Sequence, residues 1–200
     1  MLGPPVDIED GRTESTFTLR WAGSPMSTFV SMLRGINVGG QKQVKMEAVK
    51  QLYSSLGLED VRTYLQSGNV VFESSDKDVL TLARRIEEEI DRSFGFDVPV
   101  FLRTKKDLQG VVDNNPFETR DASKLHVTFL LSKPETVHLE ELRGTKDTAE
   151  DYFVSGREIY LYCPYGYGQA KLSNNFLERK LKVTATTRNW RTVSALLSMT

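Results

Sequence analysis

The chain has 200 residues, 39% hydrophobic and 26% charged, the balance of a globular fold of one domain or two small ones. A net charge of −1 and a pI near 6.2 exclude a strong overall pull toward nucleic acid or an anionic membrane. No apolar run approaches the roughly 20 residues that span a bilayer, and the single cysteine, Cys163, excludes an intrachain disulfide, which suits a reducing, cytoplasmic location.

Residues 1–26 are rich in Gly, Pro, Ser, Thr and acids and lack periodicity. They read as a flexible extension without the basic-then-apolar order of a signal peptide. Within it, FTLRW at 17–21 has the composition of a short strand. The folded part is expected to start at about Met26. STFVSMLRG predicts a strand over 28–33, followed by the glycine-rich loop LRGINVGGQK at 33–42. In VKMEAVKQLYSSLG, Met46, Val49, Leu52, Tyr53 and Leu56 recur at helical spacing, and Gly57 stands where a helix ends. VRTYLQ and NVVFE read as strands joined through Ser-Gly.

The clearest helix is SSDKDVLTLARRIEEEIDRSFG. Val79, Leu82, Ala83, Ile86, Ile90 and Phe94 form one apolar stripe, with Ser75 or Asp76 as the expected cap and Gly95 as the stop. Glu87, Glu88 and Asp91 fall away from that stripe and read as a solvated face. VPVFLRT is a further strand, and KKDLQGVVDNN a short helix after it. Residues 28–103 thus spell β-α-β-β-α-β, the ferredoxin-like order, in which two helices cover one face of an antiparallel sheet.

The order then repeats. KLHVTFLLS is a strand, and Ser132 with Glu135 predicts a capping box for a helix reaching Arg143. DYFVSG and REIYLYC form a second hairpin; SNNFLERKL, KVTATT and NWRTVSALLSM read as helix, strand and helix. LQSGNVVF and FVSGREIYLY share a Ser-Gly turn, which suggests duplication. The expected fold is α+β with two tandem ferredoxin-like halves, 27–116 and 117–200, meeting near the turn-rich NNPFETRDAS.

LRGINVGGQK approaches the phosphate-binding loop G-x-x-x-x-G-K-[ST] but departs from it where the chemistry resides. Gln41 holds the lysine's place, Lys42 comes one residue late, and Gln43 replaces the Mg²⁺-binding hydroxyl. Two readings remain: glycines that permit positive φ in a long connection, which is favoured, or a backbone nest for an anion aided by Arg34, Lys42 or Lys45. A second polar loop, CPYGYGQAKLSNN, offers Lys171, Ser173 and Asn174 at a helix start. TTRNWRT offers Arg188 and the natural N-cap Asn189. From Pro164 to Thr200, six basic residues face one acid, Glu178, and Tyr160, Tyr162, Tyr165 and Tyr167 lie nearby. Tyr160 and Tyr162 share a strand face, which favours packing over base stacking. His126 and His138, the two histidines, have no cysteine or second histidine at metal-ligand spacing, and no nucleophile elbow is present.

LRGINVGG, LQSGNVVF, YGQAKLSNNFLERKL and TATTRNW together resemble a widespread bacterial family of conserved hypothetical proteins, catalogued as a domain of unknown function. The resemblance runs from about 28 to 197 and leaves out the first 26 residues. It implies an α+β fold with two ferredoxin-like halves, and no activity, cofactor or catalytic residue.

The sequence therefore points to a binding domain for a small anionic or nucleotide-like ligand. Its expected contacts are Arg34, Asn37, Gly39, Gly40 and Lys42 from the first loop, with Lys171, Ser173, Asn174, Arg188 and Asn189 from the second region. No cofactor, metal or catalytic residue is expected. Self-association or a scaffold role is the first alternative; nucleic-acid binding through the basic C-terminal region, disfavoured by net charge, is the second.

Overall fold

A computed structural model describes residues 25–143 and 150–200; residues 1–24, with FTLRW, lie outside them. The chain forms β1 (Ser27–Leu33), α1 (Met46–Ser55), β2 (Glu59–Tyr64), β3 (Asn69–Ser74), α2 (Val79–Phe94), β4 (Val100–Thr104) and α3 (Lys105–Asp113). It continues with β5 (Leu125–Leu130), α4 (Thr136–Arg143), β6 (Asp151–Ser155), β7 (Glu158–Tyr162), α5 (Asn174–Leu181), β8 (Ala185–Asn189) and α6 (Trp190–Ser198). Two antiparallel four-stranded sheets result, ordered β2-β3-β1-β4 and β6-β7-β5-β8. Each has the ferredoxin-like arrangement with interleaved helices. No helix among the described residues is long and apolar enough to cross a membrane.

The sheets repeat one another in register as well as in order. Val30 lies opposite Arg103 on β4 and Val71 on β3; Val127 lies opposite Arg188 on β8 and Tyr160 on β7. The closing hydrogen bonds match too: Leu33 N–H donates to the Gly68 carbonyl at 2.7 Å, and Leu130 N–H to the Arg157 carbonyl at 2.8 Å. The last strand of each sheet runs straight into a helix. Thr104 caps α3 through a full capping box with Asp107, and Asn189 caps α6 by accepting from Thr192 N–H.

Two expected caps lie elsewhere. Asp78, not Ser75 or Asp76, caps α2 by accepting from the N–H groups of Leu80 and Thr81. Asp76 instead pairs with Arg85 at 2.9 Å. Helix α4 begins at Thr136, so Ser132 falls short of its cap position. Here the Glu135 carbonyl receives the first N–H groups, from His138 and Leu139.

Three apolar layers follow from the strand alternation. Phe29, Phe72 and Leu102 face α1 and α2, whose Val49, Leu52, Leu82 and Ile86 close over them. Leu130, Ile159, Leu161 and Ala185 face α4 and α5. The opposite faces meet each other: Val30, Met32, Val71 and Phe101 of the first sheet pack with Val127, Phe129 and Tyr160 of the second. Leu108 and Val111 of α3 and Val193 and Leu196 of α6 complete that central layer. Each fully buried side chain such as Phe101 or Phe129 contributes about 1.5–3 kcal/mol.

Two arginines cross this layer in opposite directions. Arg103, 1% exposed, leaves β4 and donates from Nε to Glu158 Oε1 at 2.9 Å and from Nη2 to the Leu130 carbonyl at 2.9 Å. Arg188 leaves β8 and donates from Nε to Asn69 Oδ1 at 2.6 Å and from Nη2 to the Leu33 carbonyl at 2.9 Å. The acceptors are equivalent positions of the two sheets: the first residue of β3 or β7, and the last of β1 or β5. Burial lowers both guanidinium pKa values, that of Arg188 to about 10.

Removing a buried charged partner leaves its acceptors stranded. Arg103→Ala should lower the unfolding free energy by about 3–5 kcal/mol. Arg120→Ala, which breaks the half-exposed pair with Asp151, should cost about 1 kcal/mol or less. Urea titration of the two variants checks the contrast. Gly68, at φ +75°, sits where a Cβ would lie 2.7 Å from Ile36 Cδ1 and 2.8 Å from Leu33 Cβ. Both sites have positive φ, so alanine strains the backbone at each, by about 1–2 kcal/mol; overpacking of about 1–3 kcal/mol should make Gly68→Ala the more damaging, since at Gly39 (φ +59°) the Cβ would meet nothing within 4 Å.

Candidate functional site

The first loop is held by its own side chains. Asn37 donates from Nδ2 to the carbonyls of Val44 at 2.9 Å and Gln66 at 2.8 Å, while its Oδ1 accepts Val44 N–H at 2.8 Å. Val38 and Gln41 bridge across a two-residue turn in which Gly39 and Gly40 both take positive φ, +59° and +76°. The glycines thus form a small hairpin tip rather than the start of α1, which comes only at Met46. Lys42 donates to the Asp97 carbonyl and lies 5.8 Å from the Phe96 ring centroid. Arg34 crosses to the second sheet's side, where Nη2 meets Glu178 Oε2 at 2.5 Å and Nε donates to the Ala185 carbonyl at 3.0 Å.

The second polar region is equally engaged. Arg188 gives Nη1 to Thr186 Oγ1 and the Thr187 carbonyl, and Nη2 to Ser67 as well as Leu33. With Nε on Asn69, all five of its N–H donors are taken. Thr187 Oγ1 donates to Asn174 Oδ1 at 2.6 Å and receives Tyr167 Oη at 3.0 Å; Thr128 Oγ1 lies 2.6 Å from it. Ser173 and Asn189 cap α5 and α6, and the Lys171 N–H donates to Glu150 Oε1 at 2.9 Å. Of the ten residues expected to hold an anion, the structure brings Arg34 to α5 and β8, and Arg188 to the end of β1 and the turn before β3. These side chains join the two sheets to each other.

Cys163 and His126 meet around one carbonyl, that of Lys124, which accepts Cys163 N–H at 3.0 Å and lies 3.2 Å from His126 Nδ1. His126 also stacks on Tyr167. Burial pushes the Cys163 thiol up to about 11 and pulls His126 below its ordinary value. Both shifts oppose the thiolate–imidazolium form that a nucleophilic cysteine uses. No cluster of three or more His, Cys, Asp or Glu among the described residues has the geometry of a metal site.

An open cavity lies between α2 and the second sheet. Its volume is about 370 Å³, within the range of small-ligand sites. Arg84, Glu87, Glu88 and Asp91 of α2 form one wall, Asp97, Val98 and Pro99 another, and Leu131 and Thr184 the third. Among the described residues, the lining thus carries four acidic residues and one arginine. Glu87 is fixed by its Oε1, which accepts Val100 N–H at 2.8 Å. The helix periodicity of α2 marks these acids as facing away from the core, but only the folded chain shows that Leu131 and Thr184 stand opposite them. The signal available in sequence was their spacing at 84, 87, 88 and 91, one face of a helix.

Comparison with curated proteins gave no significant match. Among solved structures, the conserved bacterial protein SP0830 from Streptococcus pneumoniae is similar, with a TM-score of 0.70 and 21% identity. The alignment covers 88% of this chain and 98% of that one, and the likeness extends to the fold. The model of a family described as protein of unknown function, DUF1697, matches residues 26–160, well over half of the chain, which therefore belongs to that family.

Proposed function

We propose that the protein is a binding domain that receives a small cationic group in the cavity between α2 and the second sheet. The observation that carries this reading is the lining: among the described residues, four acids, Glu87, Glu88, Asp91 and Asp97, against one arginine, Arg84. A cavity lined mainly by acids concentrates cationic ligands. The expectation of an anionic or nucleotide-like ligand took its cations from Arg34, Lys42, Lys171 and Arg188, of which Arg34, Lys42 and Arg188 donate to internal acceptors.

Spermidine and arginine should raise the melting temperature at low ionic strength, with the shift fading above about 0.15 M salt as the carboxylates are screened. Glu87→Gln combined with Asp91→Asn should weaken binding about tenfold, or about 1.4 kcal/mol. Calorimetry of both proteins measures this. Stabilisation by phosphate or nucleotides but not by amines would reverse the sign of the ligand and sink the proposal.

A further inference from the structure

The duplicated fold contains the junction at this cavity twice, and one copy is filled. In the filled copy, Glu178 Oε1 accepts Ala185 N–H, the first of β8, at 2.8 Å. Its Oε2 receives the Arg34 guanidinium at 2.5 Å. In the cavity copy, Glu87 Oε1 accepts Val100 N–H, the first of β4, at the same 2.8 Å. The two glutamates therefore stand in the same relation to equivalent strands.

The residue corresponding to Arg34 is Leu131. Each directly follows the last residue of the first strand in its sheet, β1 or β5. Arg34 N–H donates to the Pro99 carbonyl at 3.0 Å, and Leu131 N–H to the Thr184 carbonyl at 3.0 Å. Leu131 is 40% exposed and lines the cavity beside Glu87. On one side the chain supplies its own guanidinium; on the other, among the described residues, it offers a carboxylate with no arginine from the opposite sheet.

Resting on the cationic reading above, we infer that the ligand group is a guanidinium, carried by an arginine side chain that takes at Glu87 the place Arg34 takes at Glu178. Its planar fork can meet a carboxylate and a neighbouring carbonyl together, as Arg34 does with Glu178 and Ala185, which an ammonium on a flexible stem does less well. Val98, Pro99 and Leu131 provide apolar surface for the methylene stem. Glu88, Asp91 and Asp97 add attraction, and Arg84 limits it.

Titration calorimetry on the full chain with N-acetyl-arginine amide, its citrulline and lysine counterparts, and an arginine-centred pentapeptide tests this. The arginine amide should bind at least fivefold more tightly than either counterpart. Leu131→Arg should fill the site from within and weaken binding at least tenfold, while Leu131→Gln, neutral and of similar length, removes only apolar surface for the stem and should weaken it clearly less. Circular dichroism establishes that both variants fold; if Leu131→Arg does not, Glu87→Gln takes its place with the same expected loss. A pentapeptide tighter than the amide assigns the arginine to a protein partner, and equal affinities assign it to a free small molecule. Equal binding of the lysine amide would overturn the guanidinium assignment and leave the cationic reading standing. Equal binding of the citrulline amide, or full affinity in Leu131→Arg, would overturn the site, and no binding by any cation would overturn both.

Discussion

Two buried guanidinium groups, each sent from one sheet into the other, set the geometry of this protein. Arg103 and Arg188 occupy the same position of β4 and β8, and each ends on the last carbonyl of the opposite first strand. An apolar layer alone, Val30 and Phe101 against Val127 and Phe129, would tolerate sliding of one sheet over the other. Directional donors with fixed acceptors do not. A buried charge is costly unless every donor finds a partner, so the register that satisfies both arginines is strongly preferred over its neighbours.

The exchange is symmetric in plan and unequal in chemistry. Arg103 meets a carboxylate, Glu158, and lies 5.5 Å from the Phe129 ring centroid. Arg188 meets an amide, two hydroxyl or carbonyl groups of its own strand, and two carbonyls of the other half. The turn before β3 has two more residues than the turn before β7, and its Ser67 carbonyl supplies the extra acceptor. The same pattern of shared plan and local divergence produces the cavity. Arg34 closes one junction, whereas Leu131 leaves its counterpart open.

The strands, helices and duplication were legible because period-two and period-3.6 patterns survive along each element, and because Gly57, Gly95 and Asn189 punctuate them. The loop at 33–42 was legible as a turn, since Gln41 and Gln43 break the phosphate-loop chemistry. The site was not. Arg188 stood out as a cation near polar residues, and nothing in TTRNWRT distinguishes a buried arginine from an exposed one. Arg103, in VPVFLRT, holds the matching place in the first repeat, and its apolar strand carries no mark of an arginine that crosses to the other sheet. Glu87, Glu88 and Asp91 looked solvated because what faces them, Leu131 and Thr184, lies some 40 and 90 residues further along the chain.

The Arg188 exchange also has a consequence for how the protein is made. Its contact with the Leu33 carbonyl joins residues 155 positions apart, and that with Asn69 joins residues 119 apart. During synthesis the first sheet emerges long before β8, with those acceptors open to water and one face of Val30, Met32 and Phe101 uncovered. Its own arginine, Arg103, waits equally for Leu130 and Glu158. Neither half satisfies all of its buried polar groups alone, so each depends on docking with the other to complete its hydrogen bonding.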